Sequence, residues 1–179
     1  MAEKRHRELV GYTHASQMAD PKTWYRTASS FYAAAKVLNE HAEQIPGDTR
    51  PFALNAAISL ELILKGLIAS KCLPIPDGHD GHNLCSLSAR AGMQLSQNQL
   101  LTLELLSDTI VWSGRYPAPK TERQWDDHHG RIFEAHVVRS KVGNTHSVMA
   151  NRDTFPNWEN YVKIWNCCTD ALSQTVKMN

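Results

Sequence analysis

The stretch ALNAAISLELILKGLIA, residues 53–69, decides how the rest of this chain is read. Leu54, Ile58, Glu61, Lys65 and Ile68 step along one side of a helix, and Leu60, Leu64 and Leu67 fall on another. A helix that is apolar around most of its circumference belongs in the middle of a bundle. The predicted helix extends over about Pro51 to Cys72. Asn55, Glu61 and Lys65 interrupt its apolar run, so no stretch of the chain is expected to reach the roughly 20 apolar residues that cross a bilayer. Glu61 and Lys65 are four apart in the favoured order, which predicts an ion pair along the helix.

Working outward, a preceding helix is predicted from Pro21 to Glu43. Asp20 is placed to cap it, Pro21 fits its first position, and Trp24, Ala28, Phe31, Ala35 and Leu38 form a buried stripe. Pro46-Gly47-Asp48 punctuates the connection. Downstream, LPIPDGHDGHN (residues 73–83) ends the central helix, and a short helix over about Asn83 to Ala91 follows. Ser96 is expected to cap a further helix through Leu100, Leu103, Leu106 and Ile110 to Trp112, stopped by Ser113-Gly114. Thr121 and Gln124 have capping-box spacing, opening a helix over Glu122 to Arg139 that Gly130 weakens. Residues 141–154 read as loop. The last helix starts near Pro156, with Thr154 as its cap, and buries Trp158, Tyr161, Trp165, Cys168, Leu172 and Val176. No segment has the two-residue period of a strand. The expected fold is all-α, an antiparallel bundle of four to five helices, with residues 1–20 as an arm and 21–179 as one domain.

The totals narrow the functional classes. The 179 residues carry 19 Lys and Arg against 18 Asp and Glu, a net charge of +1. So balanced a chain has no global field to draw it onto nucleic acid or membrane, and any such contact must be local. Cys72, Cys85, Cys167 and Cys168 lack C-x-x-C spacing and read as buried reduced thiols of a cytoplasmic protein. The opening residues do not read as a secretory signal. Glycine-rich phosphate loops, G-x-S-x-G elbows and H-E-x-x-H helices are absent, which disfavours the common nucleotide hydrolases, serine hydrolases and zinc proteases.

Three segments, in this order, resemble the HEPN domain family. They are AAISLELILK (residues 56–65), GHNL (81–84) with Leu87, and WSGRYP (112–117). The resemblance covers about residues 21–178 and implies an antiparallel bundle that commonly dimerises. Many members are metal-independent endoribonucleases of toxin–antitoxin, phage-defence and CRISPR systems. Others have lost catalysis and bind RNA, nucleotides or proteins. Active members present an Arg, then a polar residue, then a His after a total gap of four to six residues, across the dimer interface.

Arg123, followed by polar Gln124, and His128 fit that spacing, and His129 fits with one more residue. Arg131 and His136 fit it with apolar Ile132 in the polar position. A His would take the 2′-hydroxyl proton while an Arg holds the phosphate. The competing reading of Arg123 and His128 is a solvated helix start, because Asp126 and Asp127 beside them repel phosphate. Lys65, His82, Arg115 and Tyr116 are candidate binding residues. His82 would meet an anion at a helix mouth or cap that helix, and Arg115 would join it in an anion pocket or simply close a helix end. Lys65 would serve an internal ion pair or a dimer contact. His79, Asp80, His82, Asp126, Asp127, His128 and His129 match no familiar zinc spacing, and no cofactor is expected. Trp24, Trp112, Trp158 and Trp165 read as core or interface anchors, whereas Trp125 would be exposed for base stacking.

The sequence reading is therefore a homodimeric module that binds RNA or nucleotide, or a protein partner such as an antitoxin, without turnover and without a membrane. The alternative is a metal-independent endoribonuclease using Arg123 and His128.

Overall fold

The computed structural model describes residues 2–45, 49–143 and 145–178. Among them the chain forms α1 (Ala2–Leu9), α2 (His14–Ala19), α3 (Pro21–Glu40), α4 (Arg50–Ser70), α5 (Leu84–Arg90), α6 (Gln97–Asp108), α7 (Glu122–Ala135) and α8 (Trp158–Met178). A two-stranded ribbon of β1 (Val137–Val142) and β2 (Thr145–Ala150) stands between α7 and α8. The architecture is an all-α antiparallel bundle with this one small sheet added.

Helix α4 is the axis, packing against α3, α5, α6 and α8. Ala56, Ala57, Leu60, Ile63, Leu64, Leu67 and Ile68 are essentially inaccessible, together with Tyr161, Ile164 and Cys168 of α8. Length and mean hydropathy alone make α4 long and apolar enough to cross a membrane, contrary to the expectation from its interrupting polar residues. Averaging over an 18-residue window absorbs Glu61 and Lys65, yet both face the protein interior. Gly66 lets α3 approach closely, because a Cβ there would lie 3.0 Å from Cβ of Trp24. The α4–α8 contact carries a buried polar link. Ser59 spends its one hydroxyl hydrogen on the carbonyl of Ala56 (2.7 Å), so the Tyr161 hydroxyl donates to Ser59 Oγ at 2.7 Å. Burial of that phenol raises its pKa.

The helix starts follow the predicted chemistry. Asp20 accepts from the Lys22 amide with Pro21 in the first turn, Ser96 forms a capping box with Gln99, and Thr121 accepts from the Gln124 amide. Several ends differ from expectation. Helix α3 stops at Glu40, where His41 caps it and a 3-10 turn over Ala42–Gln44 follows. Helix α7 runs unbroken through Gly130 but ends at Ala135, so Val137 to Arg139 are strand rather than helix. The predicted loop over 141–154 is largely the hairpin. Thr154 does not cap α8. Asn157 does, accepting from the Asn160 amide at 2.9 Å, while Thr154 is buried and gives its hydroxyl to the carbonyl of Ala135. The cysteines are free, but burial holds for Cys168 alone, since Cys72 is exposed and Cys85 and Cys167 are partly so. The segment read as an arm carries α1 and α2, and the Trp24 indole donates to the carbonyl of Met18 at 2.8 Å. Pro46-Gly47-Asp48, Asn144 and the side chain of Val176 lie outside the described residues.

Helix α6 changes character at its end. Thr109–Ser113 is a π-turn, closed by the Gly114 amide donating to the Thr109 carbonyl at 3.0 Å. A Cβ on Gly114 would sit 2.7 Å from that same carbonyl oxygen, so the turn requires glycine. Arg115 then donates to the carbonyls of Ile110 (2.9 Å) and Val111 (3.3 Å), satisfying acceptors the helix leaves open.

Candidate functional site

Two clefts flank the contact between α6 and α7. The polar one, about 400 Å³, is bordered by His79, His82, Glu104, Ser107, Asp108 and Arg131. The aromatic one, about 230 Å³, is bordered by Arg50, Trp112, Tyr116, Trp125, His128, His129 and Phe155. Asp108 and His128 join them.

The Asp108 carboxylate is the hub. Its Oδ2 lies 2.7 Å from Nδ1 of His128 and also accepts from Nη2 of Arg131, which reaches Glu104 at 3.5 Å through Nε. Burial pushes the Asp108 pKa upward, but hydrogen bonds from His128 and Arg131 and their charges outweigh it and hold the carboxyl below its ordinary value. An ionised carboxylate only accepts, so Nδ1 of His128 carries the hydrogen. That leaves Nε2 as the nitrogen available for other chemistry.

In the aromatic cleft, the Trp112 and His128 rings meet edge-on with centroids 4.8 Å apart, and Trp125 lies over His129 at 4.2 Å. The π-turn sets Trp112 at this wall, while successive turns of α7 supply Trp125, His128, His129 and Ile132. Trp125 is 39% exposed and Tyr116 54%. A partly open cleft walled by rings, with Arg50 among its lining residues, suits a planar heterocycle.

The sequence-predicted residues fall into separate groups. Arg123 is 91% exposed at its side chain, 3.7 Å from Asp127, while His128 on the same helix is turned inward. One chain therefore does not bring Arg123 and His128 together. Arg131 and His136 border a small cleft of about 140 Å³, but Arg131 is paired with Asp108 and Glu104, and Nδ1 of His136 is 3.1 Å from Thr154 Oγ1. Lys65 and His82 share the Glu61 carboxylate, at 2.6 Å to Oε1 and 3.0 Å to Oε2. Asn83, not His82, caps α5. Arg115 sits over the Tyr116 ring, 5.5 Å from its centroid, and its polar contacts are backbone carbonyls rather than His82. Tyr116 alone of the four binding candidates lines the aromatic cleft. Among the described residues, no three His, Cys, Asp or Glu side chains are grouped to share a metal.

Sequence reasoning missed Asp108 as the partner of His128. In the sequence it is one polar residue inside a helix predicted to run on to Trp112, and only tertiary packing turns it onto α7. Phe155 was also missed, since it falls between the loop read over 141–154 and the helix predicted from Pro156, and only packing sets it in the cleft wall.

The second and third segments singled out in the sequence both lie against α4, the helix that carries the first. The Glu61 carboxylate meets His82, and Leu54 of α4 lies against the Gly114 corner, 3.1 Å from where a Cβ would stand. A family model described as the HEPN domain matches residues 21–140, well over half of the chain, whereas no curated protein and no solved structure matches it. With GHNL and WSGRYP both set against helix α4 inside the matched span, this chain belongs to the HEPN domain family.

Proposed function

We propose that this protein is a non-catalytic HEPN module, a cytoplasmic homodimer whose aromatic cleft holds a base of single-stranded RNA or of a nucleotide. The observation that carries the reading is the box formed by Trp112, Tyr116, Trp125, His128 and His129. Stacking on such rings is tolerant of base identity because every base has a π-face. Retention without turnover is favoured because the Arg that best fits the family's Arg–His spacing, Arg123, points to solvent away from His128.

The test is a fluorescence-anisotropy titration of a labelled single-stranded RNA in chelator-containing buffer. The parent protein binds it, returns it uncut, and loses about 5- to 150-fold in affinity on Trp125→Ala, the range set by one stacked base. Intact affinity in that variant counts against the cleft.

One observation favours a second reading, a metal-independent endoribonuclease. Asp108 fixes His128 with Nδ1–H inward, the orientation a general base needs. In that case Arg123 of a second copy would supply the phosphate-holding cation. RNA cleavage without metal, abolished by His128→Ala, would establish it in place of the first.

A further inference from the structure

The hairpin divides its side chains sharply between its two faces. Residues paired directly across an antiparallel ribbon share a face, and successive residues alternate. The pairs Arg139↔Val148 and Lys141↔His146 therefore lie on one side, and Val138↔Met149 and Ser140↔Ser147 on the other. Every ionisable side chain of the ribbon, Arg139, Lys141 and His146, is on the first side. No Asp or Glu occurs from residue 135 to 152. In a chain of net charge +1, that is a local concentration of one sign.

The three side chains are exposed, and no ion pair holds any of them among the described residues. Arg139 lies over the half-exposed ring of Phe133, 3.9 Å from its centroid, so its guanidinium is held in place without being neutralised. The lining of the aromatic cleft comes within five residues of each root of the hairpin, at Ile132 before β1 and at Phe155 after β2. The first follows α7, which supplies Trp125 and His128, and the second leads into Phe155 and Pro156.

We infer that the basic face of this hairpin, Arg139 and Lys141 with His146, is a track for the phosphates of a single-stranded RNA whose base occupies the aromatic cleft. Arg139 and Lys141 are two strand positions apart, about 7 Å. That spacing is on the scale of successive phosphates in an extended strand. The inference rests on the RNA reading of the cleft and adds the backbone contact which that reading lacks. A cleft of about 230 Å³ takes one base, so the remaining length of an oligomer must lie outside it.

The salt dependence of binding separates the two claims. Each phosphate contact on a single strand adds about 0.7 to the slope of log affinity against log salt. The double variant Arg139→Gln/Lys141→Gln should lose roughly 1.4 from that slope against a labelled single-stranded RNA. Trp125→Ala should weaken binding while leaving the slope as in the parent. Lys141→Gln alone, which keeps the Arg139–Phe133 contact, should lose about half as much as the double variant. An unchanged slope in the double variant, with the Trp125 effect present, overturns the track and leaves the cleft reading standing. A parent protein that binds no RNA at any salt concentration overturns both.

Discussion

Asp108 on α6 accepts a hydrogen bond from Nδ1 of His128 on α7 at 2.7 Å, and this bond joins the two clefts through one carboxylate. The same oxygen holds Arg131. Removing the carboxylate deprives a buried imidazole and a partly buried guanidinium of their common partner. Asp108→Ala should therefore cost about 2 kcal/mol in urea unfolding, the pair being only partly buried. A change below a few tenths of a kcal/mol would show that the bond does not hold α7 to α6.

The Glu61–Lys65 pair makes a second, non-additive prediction. Both side chains are about one-tenth exposed, and His82 also touches Glu61. Lys65→Met strands most of a buried carboxylate charge and should cost about 2–3 kcal/mol. Adding Glu61→Leu removes the stranded charge and should recover most of that loss, measured as a double-mutant cycle. Simple additivity would mean the two residues act independently.

Gly114 offers a test of the π-turn. A methyl group there meets the Thr109 carbonyl oxygen at 2.7 Å and Leu54 Cδ1 at 3.1 Å. Gly114→Ala should destabilise by about 1–3 kcal/mol and perturb Trp112 fluorescence, because the turn must open to admit it. Gly130→Ala, where a Cβ meets nothing within 4 Å in mid-helix, should be neutral or stabilising by up to about 1 kcal/mol.

Acidification should weaken the fold in two stages. Burial lowers the His136 pKa below its ordinary 6.5, despite an opposing hydrogen bond at Thr154, and nearby His128 adds to the lowering. The unfolded chain thus takes up that proton first, so the contribution of neutral His136 is complete above about pH 6.5 and lost as pH falls through the lower folded value. Asp108, held below its ordinary 3.8, contributes fully above that pH and loses its contribution further down. Urea midpoints from pH 8 to pH 3 should fall in this order, and His136→Gln should flatten the first stage. Midpoints that rise between pH 7 and pH 5 would contradict it.

The helical core was legible because α4 is apolar around most of its circumference, and because Asp20, Ser96 and Thr121 are capping chemistry that reads locally. The hairpin was not. Its alternation, Val-Arg-Ser-Lys-Val, puts no residue type consistently in a core, since both faces are largely solvent-exposed and the buried-face signal of a strand is missing. The Gly143-Asn144 dipeptide in the sequence was the available clue, and Gly143 has φ +62°. At the site, Tyr116 and Trp125 could be picked out as aromatic residues among polar neighbours. The Asp108–His128 bond spans 20 residues and two helices, and no local pattern announces it.

Photocrosslinking tests most directly where RNA sits. A single-stranded RNA carrying 4-thiouridine, irradiated with the parent protein in chelator and mapped by mass spectrometry, should crosslink within residues 112–116 or 125–129. Crosslinks confined to α1, α3 or the outer face of α8, with those two segments unmodified, would contradict the account.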